Sequence, residues 1–225
     1  MDPEERTFAH PVTMAVVGVV VLAISYAIAN VDAVPSWERS LTRWINSVPE
    51  WVADALVPVM QLGSIWAPIG LAVAVVVLGT GPGASGSAGH RKWLVAGAIV
   101  VAGFAAWLAA KVVKEVVGRD RPPAYLPEII VRDGDATGLG YVSGHSAVAA
   151  ATLTTLMLVI PRRARPLLVL AVALVGAARV VHGVHLAVDV VGGWALGMLI
   201  GLVVVEVVDR LASRRGLRQS ADVSP

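Results

Sequence analysis

The stretch Ala178-Arg-Val-Val-His-Gly-Val-His-Leu-Ala-Val-Asp189 lies between two long apolar runs. It holds a cation, two imidazoles and a carboxylate, and ionisable groups beside a membrane span are costly to keep there. Arg179, His185 and Asp189 are therefore expected to belong to one site. If residues 185–189 are helical, His185 and Asp189 share a face about one turn apart. A carboxylate in that position fixes the imidazole tautomer and makes the ring a better nucleophile.

The composition around this stretch indicates an integral membrane protein. Of the 225 residues, 56% are hydrophobic and only 15% are charged, whereas soluble domains carry roughly 25% charged residues. Several apolar runs reach the length of about 18 residues that a membrane-spanning helix needs. These runs are apolar all round, which disfavours a soluble protein with hydrophobic core helices. The chain has no cysteine, so disulfides and thiolate chemistry are excluded.

The pattern predicts an all-α integral membrane bundle of six transmembrane helices, in a single domain covering residues 1–225. The predicted spans are 11–31, 53–78, 93–117, 144–160, 167–181 and 186–208. The first run is interpreted as a retained span and not a removed signal peptide. Between the first two spans, Pro35 to Pro49 predicts an amphipathic helix at the membrane interface; a short connecting helix packed on the bundle is the alternative. Gly79 to Gly89 is interpreted as a flexible loop.

Charge placement predicts the orientation of the bundle. Six spans put both termini on one side, and the short basic turns, such as Pro161 to Pro166, fall on that side. By the positive-inside rule, the tails 1–10 and 209–225 are expected in the cytoplasm and the site at the extracytoplasmic face of the plasma membrane. Because topology already explains the basic residues, the sequence pI of about 9.3 does not indicate nucleic-acid binding.

Two further clusters fall at the same end of the predicted bundle as the opening stretch. Lys114 and Arg121 follow the third span, and Ser143-Gly144-His145 opens the fourth. Together with Arg179, the first two provide three cations suited to phosphate oxygens. Gly144 allows close approach of a ligand to the backbone, and the start of a helix attracts an anion. His145 is then placed to protonate a leaving oxygen.

The spacing of these clusters resembles a known family. The segment from Lys114 to Arg121-Pro122 fits Lys, six residues, Arg-Pro. Ser143-Gly144-His145 fits the core of Pro-Ser-Gly-His. Arg179, five residues, His185, three residues and Asp189 fit the third motif. The chain is similar to the type 2 phosphatidic acid phosphatase superfamily, which includes lipid phosphate phosphatases and bacterial polyprenyl diphosphate phosphatases. Two positions depart from the pattern: Val142 replaces the usual Pro, and Ala178 the usual Ser.

The resemblance implies a metal-independent membrane lipid phosphatase that needs no cofactor. It implies that His185 attacks phosphorus to form a phosphohistidine, that Asp189 orients His185, and that His145 is the general acid. The implied phosphate-binding residues are Lys114, Arg121, Ser143, Gly144 and Arg179. The substrate is expected to be a polyprenyl diphosphate, phosphatidylglycerol phosphate or phosphatidic acid, with the first or a related carrier favoured. Membrane lipids are the other expected partners.

Several alternatives remain open at this level. The protein is either a hydrolase, a phosphotransferase with an acceptor other than water, or a non-catalytic lipid-phosphate binder or transporter. Gly197 and Gly201 form a Gly-x-x-x-Gly pair, and whether it packs within one chain or in a homodimer is open. Lys111 is interpreted as an interfacial anchor, Arg119 and Asp120 as a surface pair, Arg132, Asp133 and Asp135 as a solvated loop, and His182 as structural.

Overall fold

The described fold is entirely α-helical. A computed structural model of the chain describes residues 10–78, 87–133 and 136–221. Its helices are α1 (Pro11–Ala29), α2 (Ser36–Asn46), α3 (Glu50–Met60), α4 (Ala67–Leu78), α5 (Ser87–Val117), α6 (Gly144–Leu156), α7 (Arg165–Val181) and α8 (Ala187–Ala221). No strand is found in the described ranges beyond an isolated bridge between Asp120 and Leu139. The predicted all-α class is confirmed.

The length and composition of these helices are those of a membrane protein. Within the described ranges, four segments are long and apolar enough to cross a bilayer: Pro11–Ala29, Lys92–Val117, Arg162–Val181 and Ala187–Ser213. The pair α3 and α4 would add a fifth if counted as one bent span. Helix α6 has 13 residues, or about 20 Å at 1.5 Å per residue, which is less than the hydrocarbon thickness of about 30 Å. The number of six spans therefore stays a prediction.

The predicted second span is broken between its two prolines, Pro58 and Pro68. Helices α3 and α4 meet at a bend of 75°, with a 3₁₀ turn at Gln61–Gly63. Gly63 makes this turn possible, because a Cβ built there would lie 2.5 Å from the carbonyl oxygen of His145. The break thus presses directly against the first turn of α6.

Helix α6 is the centre of the bundle, with α5, α7 and α8 packed around it. Its residues from Ser146 to Leu156 are all buried. Helix α8 approaches it through small residues: a Cβ on Gly197 would lie 2.1 Å from the carbonyl oxygen of Ala147, and one on Gly201 would lie 2.9 Å from that of Ala151. Small residues at such contacts let helix backbones approach closely. The Gly-x-x-x-Gly pair therefore packs within the chain, and the homodimer remains a prediction without this support.

This close contact leads to the first testable expectation. Gly197→Ala is expected to lower the thermal unfolding temperature in detergent, because the added methyl group forces α8 away from the buried backbone of α6. Gly97→Ala is the matched control, since a Cβ there has nothing within 4 Å and alanine favours the helix. Equal midpoints for the two variants would contradict the contact.

Helix α2 turns its polar face to the protein. Glu38, Thr42 and Asn46 are buried, while Trp37 and Trp44 on the opposite face are 51% and 73% exposed. Asn46 ties the helix down, since its side chain donates to the carbonyl oxygens of Ile130 (2.8 Å) and Val181 (2.9 Å). The predicted helix is therefore present and amphipathic, with its apolar face pointing away from the bundle, and its place at the membrane interface stays a prediction.

The structure modifies three predicted boundaries. Helix α5 begins at Ser87, so residues 87–89 belong to a helix and not to the predicted loop, whose residues 79–86 lie outside the described ranges. Helix α8 continues to Ala221, so most of the predicted polar tail 209–225 is helical, and 222–225 are not described. The predicted N-terminal tail is described only at His10.

The first and the last described residues of the chain lie at the same end of the bundle. The end of α1 lies near the start of α6, because Ser25 Oγ is 2.9 Å from Tyr141 Oη. Helix α8 begins beside the same region, where Ser143 N donates to Asp189 O at 2.9 Å. The first residues of α1 and the last residues of α8 therefore lie at the opposite end of the bundle. The basic turn between α6 and α7 lies at that end as well.

Candidate active site

The three predicted clusters meet around one pocket of about 720 Å³. Its lining residues come from the break after α3, the last turns of α5, Arg121, residues 137–139, the start of α6, the end of α7 and the segment joining α7 to α8. Six predicted site residues line it: Lys114, Arg121, Gly144, His145, Arg179 and His185. The other two, Ser143 and Asp189, are fully buried and lie behind the pocket wall.

His185 is held between the pocket and a buried carboxylate. Its Nδ1 is 3.4 Å from Asp189 Oδ2, and the same Oδ2 accepts from the amide of Leu186 at 2.9 Å. Burial lowers the pKa of His185 well below its ordinary range, and the charges of Lys114, Arg179 and Arg121 lower it further. The ring is therefore neutral near pH 7, and Nε2 forms no hydrogen bond with the described residues.

The three cations differ in how much of their bonding capacity the protein already uses. Lys114 Nζ donates to the carbonyl oxygens of Leu139 (2.6 Å) and Gly140 (3.0 Å), which fixes its ammonium at the pocket wall. Arg121 forms no ion pair within the described residues, and its Nε is buried without a partner. Because unpaired buried polar groups are costly, Arg121 is the clearest indication that the pocket binds an anion.

Arg179 is paired with an acid from the connecting segment. Its Nη1 donates to Asp133 Oδ2 at 2.7 Å, and the Asp133 side chain is 40% exposed. A carboxylate on this guanidinium occupies donors that a phosphate would use. The Asp133 side chain is therefore partly solvated, as predicted, and also paired with Arg179. The predicted solvated loop is wrong for Arg132, whose side chain is 6% exposed and donates to Val181 O at 2.7 Å; Asp135 lies outside the described residues.

The Asp133–Arg179 pair should compete with bound phosphate. Asp133→Ala is expected to tighten the binding of inorganic phosphate to the purified protein by about twofold to fivefold, the range for a partly exposed ion pair. Isothermal titration calorimetry measures this change. Asp120→Asn removes an exposed carboxylate of the same segment that has no ion pair among the described residues, and it should leave the affinity unchanged. Weaker phosphate binding in Asp133→Ala would show that Asp133 instead positions Arg179.

The start of α6 provides backbone donors to the pocket. Ser143 is the N-cap: its Oγ accepts from Ser146 N at 3.4 Å and Ser146 Oγ at 3.0 Å. The amides of Gly144 and His145 have no acceptor among the described residues, and no atom lies within 4 Å of a Cβ built on Gly144. Free amides at a helix N-terminus bind anions readily. Ser143 thus orders this turn from behind, while the two amides border the open space.

Two residues that sequence reasoning missed hold Asp189 in place. Arg119 Nη1 donates to Asp189 Oδ1 at 2.9 Å, and Arg119 Nη2 donates to Glu38 Oε2 at 2.6 Å. Both carboxylates are 0% exposed and the Arg119 side chain 3%. Glu38 Oε1 also accepts from the amide of Val188 at 2.9 Å. The predicted surface pair of Arg119 and Asp120 is therefore wrong, because Arg119 lies inside the fold.

The charge state of this network follows from its contacts. Burial by itself would lower the pKa of Arg119, but hydrogen bonds and ion pairs with Glu38 and Asp189 raise that pKa above its ordinary value.

The i, i+4, i+8 spacing of Glu38, Thr42 and Asn46 was a signal in the sequence that α2 has a polar inner face. No sequence pattern indicated which cation would meet it.

His182 lies outside the pocket, and its predicted structural role stays a prediction. Its Nδ1 lies 2.7 Å from Ala178 O, the side chain is buried, and it does not line the pocket. Among the described residues, no group of three or more His, Cys, Asp or Glu side chains is arranged to hold a metal ion. The polar residues that line the pocket are the cations, His145 and His185, together with Ser64, Glu115 and Thr137.

The fold and pocket define a helical bundle of membrane-protein composition with a cationic, histidine-containing pocket. Sequence comparison places that class in a family: residues 91–212 match the model of the PAP2 superfamily. The chain belongs to the PAP2 superfamily, the type 2 phosphatidic acid phosphatases, whose phosphatase members hydrolyse lipid phosphate esters. The predicted resemblance is confirmed.

Proteins of two different names are similar to this chain in sequence. A decaprenylphosphoryl-5-phosphoribose phosphatase from Mycolicibacterium smegmatis is 37% identical over 77% of this chain and 79% of its own length. An undecaprenyl-diphosphatase from Sulfolobus acidocaldarius is 29% identical over 48% of this chain and 53% of its own length. The Mycobacterium tuberculosis decaprenylphosphoryl-5-phosphoribose phosphatase is 37% identical and is matched over 62% of its length. The chain thus spans about half to three fifths of several relatives.

Solved structures share the fold. The PAP2-type phosphatidylglycerolphosphate phosphatase of Bacillus subtilis superimposes with a TM-score of 0.68 at 21% identity, covering 90% of this chain and 98% of that one. LpxE of Aquifex aeolicus gives a TM-score of 0.59 at 19% identity, covering 74% of this chain and 93% of that one. At these identities the likeness establishes the architecture and leaves the substrate to be argued from the pocket.

Proposed function

We propose that this protein removes the terminal phosphate from a polyprenyl carrier lipid that bears two phosphate groups. The observation that carries the proposal is His185, neutral and backed by Asp189, on the wall of a pocket lined by Lys114, Arg121 and Arg179. The prenyl chain and the two phosphates are taken from the relatives: one is named for a diphosphate, and another for decaprenylphosphoryl-5-phosphoribose.

In the first step, His185 Nε2 attacks the terminal phosphorus while the bond from phosphorus to the lipid oxygen breaks. The three cations and the amides of Gly144 and His145 bind the phosphoryl oxygens, whose charge they stabilise as the bond breaks. His145 gives its proton to the departing oxygen, a transfer that contributes typically about 10²–10⁴-fold. The products of this step are a phosphohistidine and the shortened lipid.

In the second step, water attacks the phosphohistidine. His145, now lacking its proton, accepts one from the water as the oxygen bonds to phosphorus. The bond from phosphorus to His185 Nε2 breaks, and inorganic phosphate leaves. In both steps His185 Nδ1–H donates a hydrogen bond to Asp189 Oδ2, which leaves Nε2 as the nucleophilic nitrogen.

The proposed reaction needs no metal, because side-chain cations supply the positive charge that a divalent ion would otherwise bring. Lys114, Arg121 and Arg179 all line the pocket, and Arg provides bidentate donors for phosphate oxygens. A divalent cation in the same space would be repelled by them. Activity in the presence of a chelator is the corresponding expectation.

The proposed placement puts the pocket at the extracytoplasmic face of the plasma membrane and both termini in the cytoplasm. Six spans are completed by the bent α3–α4 pair and by α6, whose short length is tolerated because other helices surround it. Helix α2 lies at the interface with Trp37 and Trp44 towards the lipid, as tryptophan favours. A reporter fused after Pro225 is expected to read cytoplasmic, and an external reading would reverse the orientation.

The substrate class is tested with the purified full chain in detergent containing EDTA. Phosphate release is compared for a polyprenyl diphosphate, decaprenylphosphoryl-5-phosphoribose, phosphatidylglycerol phosphate and phosphatidic acid. Fastest release from one of the two prenyl lipids is expected. Release from the glycerolipids alone would reject the prenyl assignment, and no release from any of the four would reject the phosphatase. Activity that appears only when a divalent metal replaces EDTA would reject the metal-free reaction.

A further inference from the structure

The pocket extends beyond the phosphate cluster along α5. Trp107 and Lys111 line this extension, and Trp66 from the α3–α4 break lines it as well. Lys111 lies three residues before Lys114, which is about 4.5 Å along the helix axis. Because α5 ends beside the reacting cluster, Lys111 lies on the side nearer the middle of the membrane. A lipid whose head reaches Lys114 must pass this point with the part of its head that adjoins the tail.

Lys111 has a fixed position and unused bonding capacity. Its Nζ lies 4.3 Å from the centre of the Trp107 ring, a cation–π contact that holds the ammonium in place. Lys111 forms no salt bridge within the described residues, although Glu115 follows it by one turn. An ammonium on a ring face keeps N–H donors directed away from the ring. An interfacial anchor needs only to reach water, whereas this cation lies on the wall of the cavity that holds the reacting groups.

We propose that Lys111, supported by Trp107, is a second anion subsite for the phosphate that stays on the lipid after hydrolysis. This inference rests on the proposed function, since only a substrate with two phosphate groups fills both subsites. The reacting phosphate lies among Lys114, Arg121 and Arg179, and the retained phosphate lies one turn closer to the tail at Lys111. The retained group is either the adjoining phosphate of a diphosphate or a phosphodiester beyond a sugar, and the ammonium recognises the charged oxygens that both share.

If Lys111 forms this subsite, the enzyme should prefer lipids with two phosphate groups to lipids with one. A charge-assisted hydrogen bond to the retained phosphate favours a lipid with two phosphates over a lipid with one. Lys111→Met keeps the length and apolar stem of the side chain and removes only the charge. The variant should therefore lose activity towards two-phosphate lipids and keep it towards one-phosphate lipids.

The experiment compares farnesyl diphosphate with farnesyl monophosphate, which share one tail, on the full chain in detergent. For Lys111→Met, kcat/KM is expected to fall about tenfold for the diphosphate, mainly through KM, and to change less than twofold for the monophosphate. Lys92→Met, near the opposite end of the same helix, is the matched control and should change neither value. An equal loss on both substrates, or a loss on neither, would overturn the subsite.

Two further measurements separate the possible failures. Inhibition by inorganic pyrophosphate should weaken about tenfold in Lys111→Met while inhibition by orthophosphate does not; parallel behaviour of the two inhibitors would also overturn the subsite. A parallel assay with a prenylphosphoryl-5-phosphoribose shows which source of the retained phosphate depends more on Lys111. Wild-type protein that cleaves none of these lipids would reject the proposed function itself, whereas active wild type with an unaffected variant rejects only the subsite.

Discussion

Replacing His185 with asparagine is expected to reduce phosphate release by at least about 10³-fold, because the proposed nucleophilic nitrogen is lost. The fall should appear in kcat, since Lys114, Arg121 and Arg179 still line the pocket, where we propose that they bind the phosphate. Asparagine is close to histidine in size and polarity, so the buried position does not become an empty cavity. Steady-state phosphate release from the purified variant measures the effect.

His182→Asn is the matched control for this substitution. It lies three residues earlier, is equally buried, and does not line the pocket. Its asparagine amide can still donate to Ala178 O, so activity should remain within about threefold of wild type. Rapid acid-free quenching with a radiolabelled phosphate donor should trap a phosphoenzyme in wild type and in His182→Asn only. Labelling of His185→Asn at the wild-type level would reject His185 as the nucleophile.

The second large effect is expected at Arg119. Arg119→Met leaves Glu38 and Asp189 as two fully buried carboxylates without their shared cation. Breaking a buried ion pair in this way costs about 3–5 kcal/mol. For a chain of this size, about 2–4 °C of unfolding temperature corresponds to each kcal/mol, so the midpoint should fall by about 10 °C. Thermal unfolding in detergent, followed by tryptophan fluorescence, measures it.

Arg43→Met is the control for the loss of a surface pair. Arg43 is also paired with a glutamate, Glu128, but both side chains are about half exposed, and such pairs contribute about 0–1 kcal/mol. Its midpoint should change by only a few degrees. A shift as large as that of Arg119→Met would show that the buried network has no special importance.

Arg119 and Glu38 are also expected to act on the reaction through Asp189. Glu38→Gln keeps an oxygen that can accept from Val188 N and removes one negative charge, so it disturbs the fold less than loss of Arg119. If the network positions Asp189, kcat should fall by about tenfold in Glu38→Gln while KM stays near wild type. A proportionate loss of folded protein with unchanged kcat per folded molecule would assign the pair to stability alone.

Much of the bundle could be predicted because a membrane-spanning helix is recognisable from its own stretch of sequence. An apolar run of sufficient length specifies a helix whatever surrounds it, since the bilayer requires every backbone group to be satisfied internally. The spans at α1, α5, α7 and α8 follow from this rule. The α3–α4 break could not be predicted in detail, because it depends on Gly63 packing against the His145 carbonyl, a contact between segments more than eighty residues apart.

The candidate site divides in the same way. The motif spacing identified Lys114, Arg121, His145, Arg179 and His185, and all of them line the pocket. Ser143 and Asp189 were identified by the same motifs, but their places behind the wall follow from the N-cap geometry and from the contact with Arg119. The sequence also pointed away from Arg119, since a lone Arg-Asp pair in a polar connection is usually exposed.

The sequence by itself determined the class of the fold, the residue types of the candidate site and their common end of the bundle, because each depends on hydrophobicity and spacing along one chain. Only the tertiary structure decided that Arg119 joins Glu38 to Asp189, that Asp133 pairs with Arg179, that Gly197 and Gly201 pack within the chain, and that Lys111 faces the pocket. The physical reason is distance along the chain. Each of these contacts depends on how helices from separate segments rotate and approach one another, and side-chain packing sets that rotation, which local pattern does not encode.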